Sequence, residues 1–268
     1  MTAILRTTVP ASFFQDRLII PWTLSPVQQD VGCIQDGPLK IDIDATWAAH
    51  QRFHDTWAAR LSHEVAAMQA ASPALVIADT PYLAIEAGSR AQIPTIALAN
   101  FTWDLVLKEY CHASDLSQQQ LIQSIRESYA KADMALRITP APKIDAFSNM
   151  IDIGPIANPN SPERDRLASA LTLSPNERTV FVGFGGIPLT SLPLEQMELL
   201  HHYRFLIDGP IPRGYSRIHS IETLPFSFKT LLASVDVIMT KPGYGTIVEA
   251  VALQQPVVYV RRYNFADE

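Results

Sequence analysis

The sequence predicts a soluble α/β protein made of two domains, each with a doubly wound parallel sheet. Short, nearly continuous apolar runs alternate with longer segments of helical period along the chain. Such runs are typical of parallel strands that are covered on both faces. A chain of 268 residues is long enough for one large α/β domain or for two smaller ones. The predicted strands are Ala3–Arg6, Leu75–Ala78, Thr95–Ala99, Ala135–Thr139, Thr179–Phe184, Tyr203–Ile207, Val235–Thr240 and Pro256–Val260.

Two helices are predicted in the first half of the chain. Apolar side chains recur every four residues from Phe53 to Val65, which predicts one long helix over Asp44–Ala71. Ser117 followed three residues later by Gln120 forms a capping-box pattern, so a second helix is predicted over Ser117–Lys131.

A change in composition divides the chain near its middle. Residues 140–163 are rich in Pro, Asn and Ser and show no sustained hydrophobic periodicity. A predicted helix at about Arg164–Leu171 then begins a second series of alternating helices and strands. We therefore predict a domain boundary near residue 155, with one domain over residues 1–155 and the other over residues 156–268.

Composition excludes several classes of partner. The formal net charge is −6 without a run of Lys or Arg, so no nucleic-acid partner is expected, since a phosphate backbone needs clustered cations. No window holds the ~20 apolar residues of a membrane span, and the N-terminus lacks the plan of a signal peptide. Cys33 and Cys111 lie far apart and form no C-x-x-C pair. This spacing fits a reducing compartment, and we expect a cytoplasmic protein.

The strongest functional signal is a glycine-rich turn between a strand and a helix. A predicted strand ends at Thr240, the loop Lys241–Gly245 follows, and Thr246 opens a helix. Glycines let the backbone approach a ligand closely, and the N–H groups of a helix N-terminus favour a phosphate. Glu249, one turn into that helix, can accept both hydroxyls of a ribose. The alternative is a tight turn whose glycines serve packing, with Glu249 completing a capping box on Thr246.

A second glycine-rich turn, Gly183-Phe184-Gly185-Gly186, follows the predicted strand TVFV. Its spacing is G-x-G-G, not G-x-G-x-x-G, so a dinucleotide is not indicated. A glycine turn after the first strand of a domain is the usual place for a diphosphate, and a tight turn before Pro188 is the alternative. Parallel strands bring both turns to one rim of the sheet, so each strengthens the other.

These residues carry a resemblance to a known family. The run KPGYGTIVEAVALQQPVVYV resembles the donor-binding segment of two-domain, B-type glycosyltransferases, such as the peptidoglycan N-acetylglucosaminyltransferases and the UDP-glucuronosyltransferase relatives. More specifically, NFTWD (Asn100–Asp104) and TKPGYG resemble the glycosyltransferase-like N-terminal region of L-arabinokinases and its stand-alone bacterial relatives. The stretches LRTTVPASFF, Asp30–Gln35 and IADTPYLAIEAGSRAQIPTIALA support the same family. The resemblance covers most of the chain and implies two Rossmann-like domains, acceptor-side over residues 1–155 and donor-binding over residues 156–268.

The resemblance implies a transferase of the hexosyltransferase type. Such an enzyme binds a nucleotide-diphosphate sugar, here of the UDP type, in the interdomain cleft and transfers the glycosyl group to an acceptor, here unknown. No metal or other cofactor is expected, because helix N-termini and loop N–H groups would hold the leaving diphosphate. The alternative is a non-catalytic nucleotide-sugar-binding or regulatory module of the same descent. The predicted donor-side residues are Gly183, Gly185, Gly186, Lys241, Gly243, Tyr244, Gly245, Thr246, Glu249, Asp267 and Glu268.

Candidate residues on the acceptor side come from the first half of the chain. Asp79 ends the predicted strand LVIAD, and Asn100 and Asp104 follow the next strand. Polar groups there could hold an acceptor, and loop capping is the alternative. His50 and His54 have the spacing of a metal pair, but no third ligand is evident, so no metal site is predicted.

The chain departs from the family pattern at both ends. We expect Met1 to correspond to the second strand of the relatives. On that alignment, the acceptor-facing loop after their first strand lies outside the sequence, and we assign no catalytic base. Beyond the position of Glu268, the relatives continue with helices that cross back to the first domain. We therefore expect a fold truncated at both ends, with poor sugar transfer in spite of donor binding and a tendency to self-association.

Overall fold

The computed structural model describes residues 1–15, 17–185 and 191–262. Its contacts divide the chain into two compact units. Of the described residues, the first unit contains Met1–Ile34 and Asp42–Gly154, and the second contains Gln35–Ile41 and residues 155–262. The short segment Gln35–Ile41 belongs to the second unit because Leu39 packs against one of its apolar clusters.

Short parallel strands form two sheets in the first unit. The strands are β1 (Ala3–Arg6), β2 (Trp22–Ser25), β3 (Val76–Asp79), β4 (Thr95–Ala99), β5 (Met134–Ile138) and β6 (Met150–Ile153). β1 pairs with β2, and the other four form one sheet in the order β3-β4-β5-β6. The helices among them are α1 (Ile43–Asp55), α2 (Trp57–Ala71), α3 (Tyr82–Arg90), α4 (Trp103–Lys108) and α5 (Leu116–Tyr129).

The single long helix predicted over Asp44–Ala71 is wrong, because the chain forms α1 and α2 there. Thr56 separates the two helices, with φ −111° and ψ 15°. Its hydroxyl donates to the carbonyl of Phe53 at 3.3 Å and accepts from Arg60 Nε at 2.8 Å. A threonine hydroxyl that bonds to local backbone competes with helical hydrogen bonding.

The start of α5 also differs from the prediction. Asp115 is its N-cap and accepts from the backbone N–H groups of Ser117 and Gln118 at 3.0 and 3.1 Å. Ser117 therefore lies inside the helix, and its hydroxyl donates to the same Asp115 carboxylate. A carboxylate at the N-cap also favours the positive end of the helix dipole.

Aromatic side chains hold the core of the first unit together. Tyr82 of α3 packs edge-on against Phe53 of α1 and against Tyr129 of α5, with ring centroids 6.0 Å apart in both pairs. All three side chains are buried, and each fully buried ring of this size contributes roughly 1.5–3 kcal/mol. The cluster therefore fixes α1, α3 and α5 against one another.

The second unit contains one five-stranded parallel sheet. Its strands are β7 (Arg178–Val182), β8 (Tyr203–Ile207), β9 (Ile218–Ser220), β10 (Val237–Thr240) and β11 (Val257–Tyr259). Its helices are α6 (Arg164–Leu171), α7 (Leu194–Glu198), α8 (Phe228–Ser234) and α9 (Tyr244–Ala252). The order in the sheet is β11-β10-β7-β8-β9. The chain thus starts in the middle at β7, adds β8 and β9 on one side, and returns to add β10 and β11 on the other. This reversal creates a topological switch point between β7 and β10, where doubly wound sheets bind ligands.

The α/β class with parallel sheets is confirmed, and each of the eight predicted strands is present within two residues of its predicted bounds. Strands β2, β6 and β9 were not predicted, and each lies at the end of a sheet. An edge strand has only one hydrogen-bonded neighbour and needs no continuous apolar run. In β6, for example, Ile151 and Asp152 are exposed. Among the described residues, no helix has the length and apolar character needed to cross a membrane.

Candidate functional site

Both glycine-rich turns lie at the switch point of the second unit's sheet. β7 and β10 are parallel neighbours, with Val182 opposite Met239, so the turns that follow them leave the same edge of the sheet. The backbone N–H of Gly183 donates to the carbonyl of Met239 at 3.0 Å. The structure therefore brings together two predicted turns that are far apart in sequence.

The glycines of the first turn have different roles. A Cβ on Gly183 would lie 2.5 Å from a ring carbon of Phe181, so this glycine makes room for a buried ring. Gly185 has φ +72°, a left-handed conformation that favours glycine. A Cβ at Gly185 would lie 3.4 Å from Cε and 3.7 Å from Nζ of Lys241. The Lys241 side chain therefore runs from the second turn against the first. Gly186 lies outside the described residues.

The second turn leads directly into α9. This helix begins at Tyr244, and its N-cap is Gly243, which has no side chain to cap it. The prediction that Thr246 opens or caps the helix is wrong, because Tyr244 and Gly245 already have helical conformation and Thr246 is the third residue of α9. The alternative of a capping box with Glu249 fails for the same reason. The first turn of α9 has neither a side-chain cap nor an acidic residue. Such a turn suits a phosphate, because the first N–H groups of a helix have no carbonyl acceptor within the helix.

Buried and half-buried side chains support this loop. Arg262 is 5% exposed and donates through Nη2 to the carbonyl of Pro242. The hydroxyl of Tyr244 accepts from the backbone N–H of Ile156 at 3.2 Å. Its neighbour Arg261 is exposed, so only Arg262 of this pair is buried against the loop.

Glu249 lies on α9 and binds two groups that sequence reasoning missed. Its Oε1 accepts from the backbone N–H of Asn158 at 3.2 Å and lies 3.2 Å from Nζ of Lys229. Its Oε2 is buried and has no hydrogen-bond partner among the described residues. No local pattern could have found Lys229 or Asn158, because both reach Glu249 only through the tertiary fold. Two other predicted donor-side residues, Asp267 and Glu268, lie outside the described residues.

In the first unit, Asp79 and Asn100 lie at one edge of the four-stranded sheet, since β3 and β4 are parallel neighbours with Asp79 opposite Leu98. Asp79 is exposed, and Asn100 is half-buried. Thr80, which follows Asp79, has φ +68° and is buried. The hydroxyl of Tyr129 donates to the Thr80 carbonyl at 2.8 Å and so holds this strained turn in place.

Asp104 has a different environment from the other two acceptor-side candidates. It lies in the first turn of α4, is 3% exposed, and has an oxygen 3.8 Å from Arg126 Nη1. Burial raises the pKa of Asp104, although hydrogen bonding and the Arg126 charge oppose this shift.

Asp30 was not predicted as a site residue, although the stretch Asp30–Gln35 contributed to the family resemblance. Asp30 Oδ2 accepts from the indole Nε1 of Trp103 at 2.8 Å. Burial raises the pKa of Asp30, the indole hydrogen bond opposes the shift, and the negative charge of Asp79 adds to it. Asp30 therefore lies close enough to Asp79 for the two charges to repel.

His50 and His54 do not form a metal pair with a third ligand. His54 Nε2 lies 3.2 Å from the hydroxyl of Tyr82, and His50 is fully buried without a hydrogen-bond partner among the described residues. Within residues 1–15, 17–185 and 191–262, no three His, Cys, Asp or Glu side chains are grouped to hold a metal.

The chain was compared with known proteins. No protein-family model matches it. It is similar to the L-arabinokinase of Arabidopsis thaliana, with 25% identity over 248 residues that make up 89% of this chain and 23% of that protein. The chain thus spans less than a quarter of the length of this curated relative.

Solved structures give the fold. The glycotransferase of kitacinnamycin has a TM-score of 0.60 and 15% identity, over 98% of this chain and 81% of that one. The Streptomyces sp. SF2575 glycosyltransferase SsfS6, complexed with thymidine diphosphate, has a TM-score of 0.51 and 12% identity, over 99% of this chain and 83% of that one. The chain therefore has the two-domain fold of B-type glycosyltransferases, as the sequence resemblance predicted.

Proposed function

We propose that the second unit binds the nucleoside diphosphate of a UDP-type sugar, and that the protein transfers the glycosyl group to an acceptor. The observation that carries this proposal is the meeting of Gly185, Lys241 and the start of α9 at the switch point of the sheet. This arrangement joins a cation, a glycine with left-handed backbone and a helix N-terminus without a side-chain cap. All three suit a diphosphate.

The diphosphate would lie against the two turns. Lys241 Nζ supplies a positive charge between them, and the first N–H groups of α9 supply donors along the helix dipole. These groups would stabilise the negative charge that develops on the leaving diphosphate. We propose that transfer requires no metal for this reason.

The ribose would bind at Glu249. This residue lies on α9 beyond the phosphate-binding first turn, and its Oε2 has an unused capacity to accept hydrogen bonds. The glycosyltransferase SsfS6 was solved with thymidine diphosphate, which supports a nucleoside diphosphate as the ligand class.

Transfer would be a displacement at the anomeric carbon of the sugar. An acceptor oxygen forms the new bond to that carbon, the bond to the diphosphate oxygen breaks, and a base takes the acceptor's proton. Asp79, Asn100 and Asp104 remain our predicted acceptor-side residues, and the base is not assigned.

Calorimetric titration with UDP tests the binding step. We expect the wild-type protein to bind UDP and the Glu249→Gln variant to bind it more weakly by about 1.5–3 kcal/mol, the value of a hydrogen bond to a charged group. The exposed Glu222 provides a matched control, and Glu222→Gln should bind like the wild type. Absence of UDP binding to the wild type would overturn the proposal.

Incubation with radiolabelled UDP-sugars and a mixed acceptor extract tests the transfer step. Labelled product that disappears in the Glu249→Gln variant supports a glycosyltransferase. Tight UDP-sugar binding without any labelled product would favour the non-catalytic binding module instead.

A further inference from the structure

Lys229 occupies an unfavourable position in its helix. It is the second residue of α8, whose N-cap Ser227 accepts from Thr230 N. A cation in the first turn of a helix faces the positive end of the helix dipole. Lys229 Nζ nevertheless lies 3.2 Å from Glu249 Oε1 and donates to the carbonyl of Asn158 at 2.6 Å. These two acceptors compensate for the unfavourable position.

The contacts of the Glu249 carboxylate are all on one side. Oε1 takes both the Asn158 N–H and the Lys229 ammonium group, whereas Oε2 is buried and has no donor among the described residues. A buried acceptor without a partner is unfavourable by about 1–3 kcal/mol. The arrangement therefore holds the carboxylate in one orientation, in which Oε2 is the oxygen that still lacks a donor among the described residues.

The Asn158 donor is itself held in place. Residues 156–163, the segment that contains Asn158, form hydrogen bonds to α8, its N-cap and α9 at several points. Ile156 N donates to the Tyr244 hydroxyl, Asn160 Nδ2 donates to the hydroxyls of Ser227 and Thr230, and Glu163 N donates to the Ser234 hydroxyl. Since the segment is fastened on both sides of Asn158, the Asn158 N–H stays at Glu249 and Lys229 bridges the two.

We propose that Lys229 is a positioning residue that orients Glu249 for the two hydroxyls of a ribose, so that the site selects ribonucleotides over 2′-deoxyribonucleotides. This inference rests on the proposed function, in which Glu249 binds the ribose.

The selectivity follows from the number of donors. A ribose offers two neighbouring hydroxyls to Glu249, whereas a 2′-deoxyribose offers one. Oε2 can accept both hydroxyls only while Oε1 stays bound to Asn158 and Lys229. A ribose also has to displace the atoms that cover Oε2. Without Lys229 only the Asn158 N–H holds Oε1, so the carboxylate rotates more easily and the second hydroxyl loses most of its advantage.

The test is calorimetric titration with UDP and with 2′-deoxy-UDP, which differ by one hydroxyl. For the wild type we expect UDP to bind about tenfold more tightly or better, as a hydrogen bond to a charged group implies. In Lys229→Met this preference should fall to roughly threefold or less, mainly through weaker binding of UDP. Lys229→Arg, which keeps the charge and the donors, should retain most of the preference.

Lys108→Met is the matched control, because Lys108 is an exposed lysine on α4 of the first unit and its loss should leave both affinities unchanged. Equal weakening of UDP and 2′-deoxy-UDP in Lys229→Met, with the ratio preserved, would overturn the inference, since it is the result of a purely structural role. A wild type that binds both nucleotides equally would also overturn it and would leave the proposed function intact. A wild type that binds neither nucleotide would overturn both proposals. Lys229 is 39% exposed, so its variants should fold, and their melting temperatures will verify this.

Discussion

The side chain of Lys241 lies against the backbone of Gly185, so that a Cβ on residue 185 would be 3.4 Å from Lys241 Cε. This contact joins the turn after β10 to the turn after β7, at the switch point of the sheet. Because Gly185 has φ +72°, the backbone conformation at this position favours glycine. The contact leads to two predictions about ligand binding.

Gly185→Ala should lower both stability and UDP affinity. An L-residue in the left-handed region costs about 1–2 kcal/mol, and the added methyl group would occupy space beside Lys241 Nζ, where we propose that the diphosphate lies. We expect the free energy of unfolding to fall by about 1 kcal/mol and UDP to bind about tenfold more weakly. Chemical denaturation and calorimetry measure the two effects.

Gly37→Ala is a control that introduces the same backbone strain without a contact to Lys241. Gly37 also belongs to the second unit and has φ +77°, but nothing lies within 4 Å of its added Cβ. This variant should lose stability and keep the UDP affinity of the wild type. If Gly185→Ala binds UDP as well as Gly37→Ala does, the first turn is not part of the ligand site.

Lys241→Met should weaken the binding of UDP but not the binding of uridine. The lysine is proposed to meet the diphosphate, so its loss removes a charged hydrogen bond of about 1.5–3 kcal/mol, which is roughly ten- to hundredfold in affinity. Uridine lacks the phosphates and should bind the variant and the wild type alike. Equal loss for both ligands would show that Lys241 only supports the loop.

His50 should make the protein less stable in mild acid. Burial lowers the pKa of His50 from 6.5 to about 4, and the nearby charge of His54 adds to the shift. Between these values the unfolded chain binds a proton that the folded chain does not. The free energy of unfolding therefore falls as the pH falls from about 6.5 to about 4, by up to about 3 kcal/mol from this residue.

His50→Leu should remove this part of the acid sensitivity. Neither ring nitrogen has a hydrogen-bond partner among the described residues, so an apolar side chain forfeits no hydrogen bond seen there. Urea unfolding at pH 7 and pH 4.5 measures the difference. His63 is exposed on α2, and His63→Leu should keep the wild-type pH profile. A His50→Leu variant that loses as much stability in acid as the wild type would contradict the explanation.

The central strands and the turns that follow them could be predicted from the order of residues alone. β7 and β10 pack against apolar side chains on both faces, so each is a nearly continuous apolar run. Phe181 and Ile238 lie in one buried cluster, whereas Val182 and the half-buried Met239 pack in another. The glycines of both turns are visible for a similar reason, because close backbone approach and left-handed conformation restrict the residue type. Such local requirements restrict the residue type at each position, so they can be recognised in the sequence.

The surroundings of Glu249 could not be predicted, because they depend on contacts between distant parts of the chain. Lys229 on α8 and Asn158 before α6 reach its carboxylate from distant parts of the chain, and a lysine or an asparagine backbone N–H carries no local signal of such a partner. The helix break at Thr56 and the N-cap at Gly243 could not be predicted from the residue pattern either. Several neighbouring residues could end or begin a helix, and the hydrogen bonds and backbone angles of the folded chain determine which one does. Periodicity records which faces are buried, whereas the geometry of a site depends on which distant groups the fold brings within hydrogen-bond distance.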